Sequence, residues 1–327
     1  MTESALPGTF TVDTSVELAV LTRSGFVESR HAGSAVIVDA TGNDLLVLGD
    51  ADSPVYPRSC LKPFQALAVM ESGVLLSPVQ TALSTASHSG TPEHLQVVRS
   101  ILAREGIDES QLGCPADWPG SRSGRDAVVL AGGQAEAVMM NCSGKHAAML
   151  VACVLNGWST ADYLEPAHPL QKKVLEVVER YTGEKVLFSG IDGCGAPVHA
   201  VSLRGLARGI SRVAQSLDEN SARLTSSVLE NGWALDGPGE ENTVVIERLG
   251  VFAKIGAEGV MVMSTTAGVC VALKILDGNL RAAVVVALEL LVRVGALNSD
   301  AVGQTCSVLN LNVLGGGKPV GKIQVTA

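Results

Sequence analysis

The residues best suited to chemistry in this chain are Ser59 and Lys62, three positions apart at the start of an apolar run. On a helix this spacing places both side chains on one face, with Cβ atoms about 5–6 Å apart. An uncharged amine at that distance can take the proton of the serine hydroxyl. The spacing therefore predicts Ser59 as a nucleophile with Lys62 as its base.

The alternative for this pair is structural, with Ser59 as a helix cap and Lys62 as a solvated charge in the first turn. The residues at 63–70 are mostly apolar, so the lysine lies where a helix enters the core. Burial disfavours the charged form of a lysine. This context favours the catalytic interpretation, and Ser87-His88 shortly downstream is a second reactive pair.

A second group of reactive side chains contains sulfur. Cys142, Lys145 and His146 fall within one turn at a predicted helix start, and Cys194 lies in a glycine-rich loop. A helix amino terminus lowers the pKa of a thiol, and two thiolates with one nitrogen would suit zinc. The alternative is that both cysteines are small packing residues, since the Cys-x-x-Cys spacing of structural zinc sites is absent.

Hydrophobic periodicity predicts the elements that must position these residues. Strands are expected at 16–22, 34–40, 44–49, 259–264, 268–276 and 322–326. Helices are expected at 61–70, 92–105, 144–155, 169–181, 201–206, 222–230 and 280–294, with Thr91 and Ser143 as two of the N-caps. Strands at both ends of the chain around a helical middle predict an α+β fold with one antiparallel sheet, in a single domain over residues 1–327.

Composition narrows the function classes. The net charge of −9 and the lack of a long basic run argue against a nucleic-acid partner. No apolar stretch is long enough for a membrane span, and the first residues lack the pattern of an export signal. Seven cysteines in such a chain fit reduced thiols or metal ligation. The expectation is a cytoplasmic protein with no membrane span.

Five segments together resemble the signature blocks of the rhizobial-type, or class 3, L-asparaginases, the thermolabile asparaginase II family. They occur in the family's order and span most of the chain: Pro57–Ala66, Ala86–Gly90, Asn141–His146, Asp192–Pro197 and Ala253–Gly259. The resemblance implies a serine β-lactamase-like fold, an αβα sandwich, and a homodimer that hydrolyses L-asparagine to aspartate and ammonia. The segment 114–119 departs from the family pattern, and Cys114 is given no role.

The resemblance also implies roles for residues. It implies two Ser-Lys pairs, Ser59 with Lys62 and Ser87 with Lys254, and a zinc ion held by Cys142, Lys145 and Cys194. Arg58, His146 and Asp192 match positions that contact substrate or support the metal, and His88 is a further substrate-side candidate. We expect Ser59 to form the β-aspartyl ester, Ser87 to relay protons, one lysine to be neutral, and the zinc to shape the pocket.

The substrate's own charges fit two of these residues. A guanidinium suits the α-carboxylate of asparagine and a carboxylate suits its α-ammonium, so Arg58 and Asp192 have the required chemistry. The alternative for both is a structural ion pair.

Two other classes of protein stay open at this point. A penicillin-recognising serine acylase acting on another small amide would share the Ser-x-x-Lys pattern and the Lys254-Ile255-Gly256 strand. Such enzymes are normally exported, and the Ser-Asp-Asn triplet is absent. A non-catalytic zinc protein would need only the cysteines, which would leave the Ser-Lys pairs without a purpose.

Overall fold

The computed structural model describes residues 7–309 and 311–327. Residues 1–6, which carry the expectation about an export signal, lie outside this range. The strands are β1 (Val16–Arg23), β2 (Phe26–Val38), β3 (Asp44–Leu48), β4 (Pro54–Val55), β5 (Ser189–Ile191), β6 (Pro197–His199), β7 (Val201–Ser202), β8 (Phe252–Gly256), β9 (Val260–Ser264), β10 (Cys270–Ile275), β11 (Asn312–Gly315) and β12 (Lys318–Val325).

The α-helices alternate with short 3₁₀ turns through the middle of the chain. They are α1 (Lys62–Glu71), α2 (Pro78–Ser84), α3 (Pro92–Ala103), α4 (Arg122–Leu130), α5 (Ser143–Leu155), α6 (Pro169–Thr182), α7 (Leu203–Ala214), α8 (Glu219–Glu230), α9 (Glu241–Leu249), α10 (Ala283–Arg293) and α11 (Ser299–Cys306).

The central sheet is antiparallel and draws its strands from both ends of the chain. Its order is β11-β12-β1-β2-β10-β9-β8, and β3 also pairs with β2. The long strand β2 pairs with β1 through its first half and with β10 and β3 through its second half. The predicted sheet and the hairpin between β2 and β3 are therefore confirmed.

Helices cover both faces of the sheet. Helix α7 packs on β2, β9 and β10, and helix α10 packs on β9, β10 and β12. Every residue of β9 and β10 is buried, which requires apolar cover on both sides of these strands. The arrangement is an αβα sandwich, and the predicted α+β class is confirmed.

The remaining helices form a layer around α1. Nine of its ten residues, from Lys62 to Met70, are buried. It packs against α5, α6 and α8, so its first turn carries a lysine into the protein interior. This confirms the expectation that Lys62 lies where a helix enters the core.

Several predicted boundaries were wrong for local reasons. The helix expected at 201–206 is Leu203–Ala214, because Val201 and Ser202 pair with β4 and Ser202 then caps the helix. Ser143 is the first residue of α5 and not its cap, a position that Cys142 occupies. Helices α2, α4, α9 and α11 were missed, since each has only seven to nine residues.

The search for a transmembrane segment gives one finding: none of the helices in residues 7–309 and 311–327 combines the length and apolarity required to cross a bilayer. The single-domain assignment for residues 1–327 stays a prediction.

Candidate active site

The centre of the candidate site is the hydroxyl of Ser87, which lies between two lysine amines. Lys62 Nζ donates to Ser87 Oγ at 3.0 Å, and Lys254 Nζ donates to the same oxygen at 2.9 Å. The two lysines come from α1 and from β8, and they are 1% and 0% exposed. Two buried amines on one hydroxyl form a proton-transfer centre that can activate a serine.

Neutral oxygens complete the surroundings of both amines. Lys62 also donates to the carbonyl of Ala86, and Lys254 donates to the carbonyl of Ile255 at 2.8 Å. No carboxylate forms a salt bridge with either lysine within the described part of the chain. Burial, followed by the positive charge of Lys62, lowers the pKa of Lys254 to about 8. A lysine with this pKa supplies a neutral amine near physiological pH.

Ser59 lies just before α1. It lies in a 3₁₀ turn, Arg58–Leu61, and α1 begins only at Lys62. The backbone N–H of Lys62 donates to the carbonyl of Ser59 and closes this turn. In the described residues the amine of Lys62 bonds Ser87 and Ala86 and makes no hydrogen bond with the Ser59 side chain. The pairing of Ser59 with Lys62 stays a prediction. Ser59 remains partly exposed.

The turn that carries Ser59 approaches β8 closely. Cys60 Sγ donates to the carbonyl of Lys254 at 3.1 Å. A Cβ at Gly256 would lie 2.4 Å from the carbonyl oxygen of Pro57, so a side chain there would push the turn away. The bare backbone of Gly256 therefore sets the distance between the Ser59 turn and the strand of Lys254.

The segment that carries Ser87 is held from two sides. Ser87 N–H donates to the carbonyl of Leu235 at 2.9 Å, and Ser89 N–H donates to that of Asp236 at 2.6 Å. Between them, His88 N–H donates to the carbonyl of Asn141 at 3.1 Å. These alternating bonds fix the backbone on both sides of the reactive hydroxyl.

Arg58 has a left-handed backbone with φ of 53°, which is unfavourable for a bulky residue. Its guanidinium holds this conformation through Asp192, where Nε donates to Oδ1 at 2.6 Å, and through Glu258, whose carboxylate is 3.6 Å from NH1. Arg58 and Asp192 thus form the ion pair that the sequence left open as an alternative.

A cavity of about 310 Å³ adjoins the same arginine. Its walls include Tyr56, Phe188, Glu258 and Lys274, together with Arg58. Lys274 donates to the carbonyl of Glu258 at 2.6 Å, which stabilises the turn that faces Arg58. Arg58 therefore connects this cavity with the turn that carries Ser59.

The sulfur-containing residues form a second buried group. Lys145 Nζ lies 3.0 Å from Cys194 Sγ, and Cys142 caps the amino terminus of α5. A hydrogen bond from Cys142, and then the charge of Lys145, lower the pKa of the Cys194 thiol. The structure thus brings together Cys142, Lys145 and Cys194, as predicted from their sequence blocks.

The chemistry of this group fits a zinc ion. It offers two sulfurs and one amine, and His146 Nε2 is buried without a hydrogen-bond partner among the described residues. The other ring nitrogen, Nδ1, contacts the hydroxyl of Tyr163 at 2.6 Å. No three His, Cys, Asp or Glu side chains in the described ranges are arranged so that they alone could hold a metal ion, so a metal here would need the lysine as a ligand.

His88 is buried and both of its ring nitrogens contact the protein. Nδ1 accepts from Gly90 N–H at 3.2 Å, which leaves the proton on Nε2, 2.9 Å from Ser143 Oγ. Burial, and then the charges of His94 and Lys62, lower the pKa of His88 well below its usual value. A neutral, fully bonded ring supports the Ser87 segment, and the substrate role of His88 stays a prediction.

The sequence offered no motif for two residues that border the site. Asp236 faces the Ser87–Ser89 segment, and Asn242 links its carboxylate to the N–H of Ile255 on β8. Asp236 precedes a Gly-Pro-Gly run, which indicated only a loop. Tyr163, the partner of His146, also lay in a segment without a pattern. The roles of all the predicted site residues stay predictions.

Comparisons with known proteins place this geometry in context. A search of curated proteins finds no significant match. Similar solved structures include Mglu in its glutamate form, with a TM-score of 0.48 and 13% identity over 82% of this chain and 62% of that chain. A β-lactamase from Mycobacterium bovis has a TM-score of 0.44 and 14% identity over 80% of this chain and 94% of that chain.

The family comparison covers nearly the whole sequence. The protein-family model described as L-asparaginase II matches residues 19–325 of this chain. This range includes every predicted site residue. The resemblance inferred from five short blocks is thereby confirmed: the chain belongs to the L-asparaginase II family, a family of amidohydrolases.

Proposed function

We propose that the chain hydrolyses the side-chain amide of L-asparagine to L-aspartate and ammonia through a seryl ester. The observation that carries this proposal is the Ser87 hydroxyl, held at 3.0 and 2.9 Å from two buried lysine amines. An amide is a poor electrophile and a serine hydroxyl is a poor nucleophile, so hydrolysis needs a base and a proton donor for the leaving group. The lysine pair supplies both.

In the proposed first step Ser59 Oγ attacks the amide carbon and its proton passes through Ser87 to Lys254. The tetrahedral intermediate then breaks its C–N bond, and the nitrogen takes a proton from a lysine and leaves as ammonia. A β-aspartyl ester of Ser59 remains. Water, with its proton taken along the same route, hydrolyses this ester to aspartate and restores the serine.

The electrostatics favour Lys254 as the base. With a pKa of about 8, roughly one tenth of Lys254 is neutral at pH 7. Lys62 donates to the same oxygen at 3.0 Å and keeps the hydroxyl oriented. The same arrangement is suited to a relay, since a relay must contact the base on one side and offer its oxygen on the other.

The sulfur-containing group is proposed to hold zinc through Cys142, Lys145 and Cys194. Zinc bound there would neutralise the sulfur charge and stiffen the start of α5 beside the Ser87 segment. His146 and Tyr163 support that wall through their 2.6 Å contact. No step of the proposed reaction requires the ion, because Ser59 already supplies the nucleophile.

A penicillin-type serine acylase is the second candidate, because Lys254-Ile255-Gly256 does lie on a strand beside the lysine of the Ser-x-x-Lys pattern. Hydrolysis of a chromogenic cephalosporin without ammonia release from asparagine would favour it. We also propose a cytoplasmic homodimer, as the family resemblance implies. Light scattering of the purified protein tests the dimer.

The central experiment measures ammonia from asparagine and traps the ester by rapid acid quench and mass spectrometry. We expect Ser59→Ala to abolish both ammonia release and the ester. We expect Ser87→Ala to slow both by about 10²–10⁴-fold while any trapped ester still maps to Ser59. Ser226→Ala, a change on the exposed face of α8, is the matched control and should leave both unchanged.

Two results would contradict the proposal. An ester on Ser87 in the wild-type protein would exchange the roles of the two serines. Full activity of Ser59→Ala would exclude Ser59 as the nucleophile.

A further inference from the structure

An enzyme for asparagine must bind two opposite charges, and the structure accounts for only one of them. This inference rests on the proposed function, in which Arg58 binds the α-carboxylate. The guanidinium of Arg58 bonds Asp192 through Nε, and its Nη1 lies 3.6 Å from the Glu258 carboxylate. The α-ammonium needs a carboxylate that another cation does not already pair. Asp192 does not meet this condition, because its Oδ1 accepts from Arg58 Nε at 2.6 Å and from Gly193 N–H at 2.9 Å.

Asp236 meets that condition. Its backbone carbonyl accepts from Ser89 N–H at 2.6 Å. This hydrogen bond lies next to the one that Ser87 N–H donates to the carbonyl of Leu235. Its Oδ2 accepts from the Asn242 side chain at 3.2 Å, which fixes the orientation of the carboxylate. Its Oδ1 makes no hydrogen bond with the described residues, and the residue is only partly buried.

Asn242 ties this carboxylate to the catalytic strand. It is 1% exposed, and its Oδ1 accepts from Ile255 N–H at 3.0 Å, while the carbonyl of Ile255 accepts from Lys254. Asp236 is therefore held at a fixed position relative to both members of the Ser87–Lys254 pair. A rigidly held acceptor linked to the strand of Lys254 can orient a substrate as well as bind it.

The charges around Asp236 leave its carboxylate without a full counter-ion. Burial raises its pKa, and the charges of Lys254 and Lys62 oppose this from β8 and α1. Glu240 and Glu241 add negative charge from the same loop, and burial followed by Asp236 and Glu240 raises the pKa of Glu241 to about 7. None of the three acids forms a salt bridge with the described residues. A partly buried carboxylate without a paired cation is costly, and a ligand ammonium would relieve that cost.

We propose that Asp236 is the specificity-determining residue that accepts the α-ammonium of the substrate, with Asn242 as its positioning residue. The site would then select amides that carry a positive charge next to the carboxylate held by Arg58. Asp192 would act on substrate only through Arg58. The selectivity of the enzyme for an α-amino acid over its deaminated analogue would reside largely in one carboxylate.

The test compares asparagine with 4-amino-4-oxobutanoate, which has the same amide and carboxylate but no amino group. We expect Asp236→Asn to lower kcat/KM for asparagine by about 10–100-fold, mainly through KM, because a charge-assisted hydrogen bond is lost. For the analogue we expect less than about a twofold change, since there is no ammonium to lose. If the analogue binds without turnover, its inhibition constant takes the place of KM.

Three variants make the result unambiguous. Glu247→Gln removes an exposed negative charge from the neighbouring helix α9 and should affect neither substrate. Asp236→Glu keeps the charge and should retain part of the preference for asparagine, even if Asp236→Asn folds poorly by circular dichroism. Asp192→Asn should weaken both substrates alike, because it releases Arg58.

Two outcomes would overturn the inference. An equal loss for both substrates in Asp236→Asn would mean that the residue is only structural. An asparagine-selective loss in Asp192→Asn, with none in Asp236→Asn, would assign the ammonium to Asp192. Failure of the proposed function is separate from both, since it would appear as wild-type protein that releases ammonia from neither substrate.

Discussion

Lys254 and Lys145 are both buried, and burial lowers the pKa of each. Their charged neighbours shift the two pKa values in opposite directions. Lys254 lies beside Lys62 on one hydroxyl, and burial together with that like charge lowers its pKa to about 8. Lys145 is as deeply buried, yet the sulfurs of Cys194 and Cys142 outweigh burial and raise its pKa. The neighbours, and not the depth, decide whether a buried lysine is a base or a fixed cation.

The largest effect on activity is expected when the proposed base, Lys254, is removed. Lys254→Met should lower kcat/KM for asparagine by about 10²–10⁴-fold, the usual contribution of general base catalysis. Ammonia release measured at pH 8 checks it. Lys172→Met, an exposed lysine on α6, is the control and should keep wild-type activity. Near-normal activity of Lys254→Met would remove the lysine from the mechanism.

The two lysines should also differ in their effect on the free energy of unfolding. Lys254 binds fewer protons when folded than when unfolded between pH 8 and about 10.5, so its contribution to the free energy of unfolding rises with pH in that window. Below pH 8 the lowered pKa costs the folded state about 3 kcal/mol. Lys254→Met should therefore stabilise the protein at pH 7 by up to that amount, as measured by urea denaturation.

The matched change at the sulfur site should have the opposite sign. In chelator-treated protein, Lys145→Met leaves the buried sulfurs without their cation, so it should lower the free energy of unfolding by about 3 kcal/mol. A stabilising effect of Lys145→Met would contradict the contrast between the two lysines.

A smaller effect should appear in the pH dependence of turnover. If neutral Lys254 is the base, kcat should rise about tenfold from pH 7 to a plateau above pH 9, with an apparent pKa near 8. Stopped assays of ammonia across this range check it. A rate that is flat between pH 7 and pH 9 would show that the base titrates elsewhere.

The smallest expected effect concerns the metal. Cys194→Ser should lower zinc content, measured by atomic emission, and raise KM several-fold while kcat changes less. Cys306→Ser, which lies on α11 away from the sulfur group, should leave zinc content unchanged. Loss of the trapped ester in metal-free protein would instead place the ion in the covalent step.

Local sequence patterns predicted the fold class and the candidate site residues, but they did not predict the contacts between those residues. The Ser-x-x-Lys pattern correctly predicted that Lys62 lies where a helix enters the core, because an apolar run follows this lysine in the sequence. It did not indicate the 3₁₀ turn at Ser59, since this turn begins with the left-handed Arg58, whose partner Asp192 is 134 residues away.

Contacts between distant segments were beyond local patterns for the same reason. Lys254 meets Ser87 across 167 residues, and only the family blocks indicated that pairing. Asp236 had no motif at all, because its relation to Ser89 arises from two loops that become neighbours only when α2 packs on the 3₁₀ turn Gly232–Leu235 and α9 packs on β8.

The close approach at Gly256 gives this site an unusual sensitivity. A single methyl group at that position would separate the turn of Ser59 from the strand of Lys254, although neither of these two side chains would have been altered. The spacing of these two segments therefore depends on glycine at position 256, because every other residue type would place a carbon atom where glycine has a hydrogen.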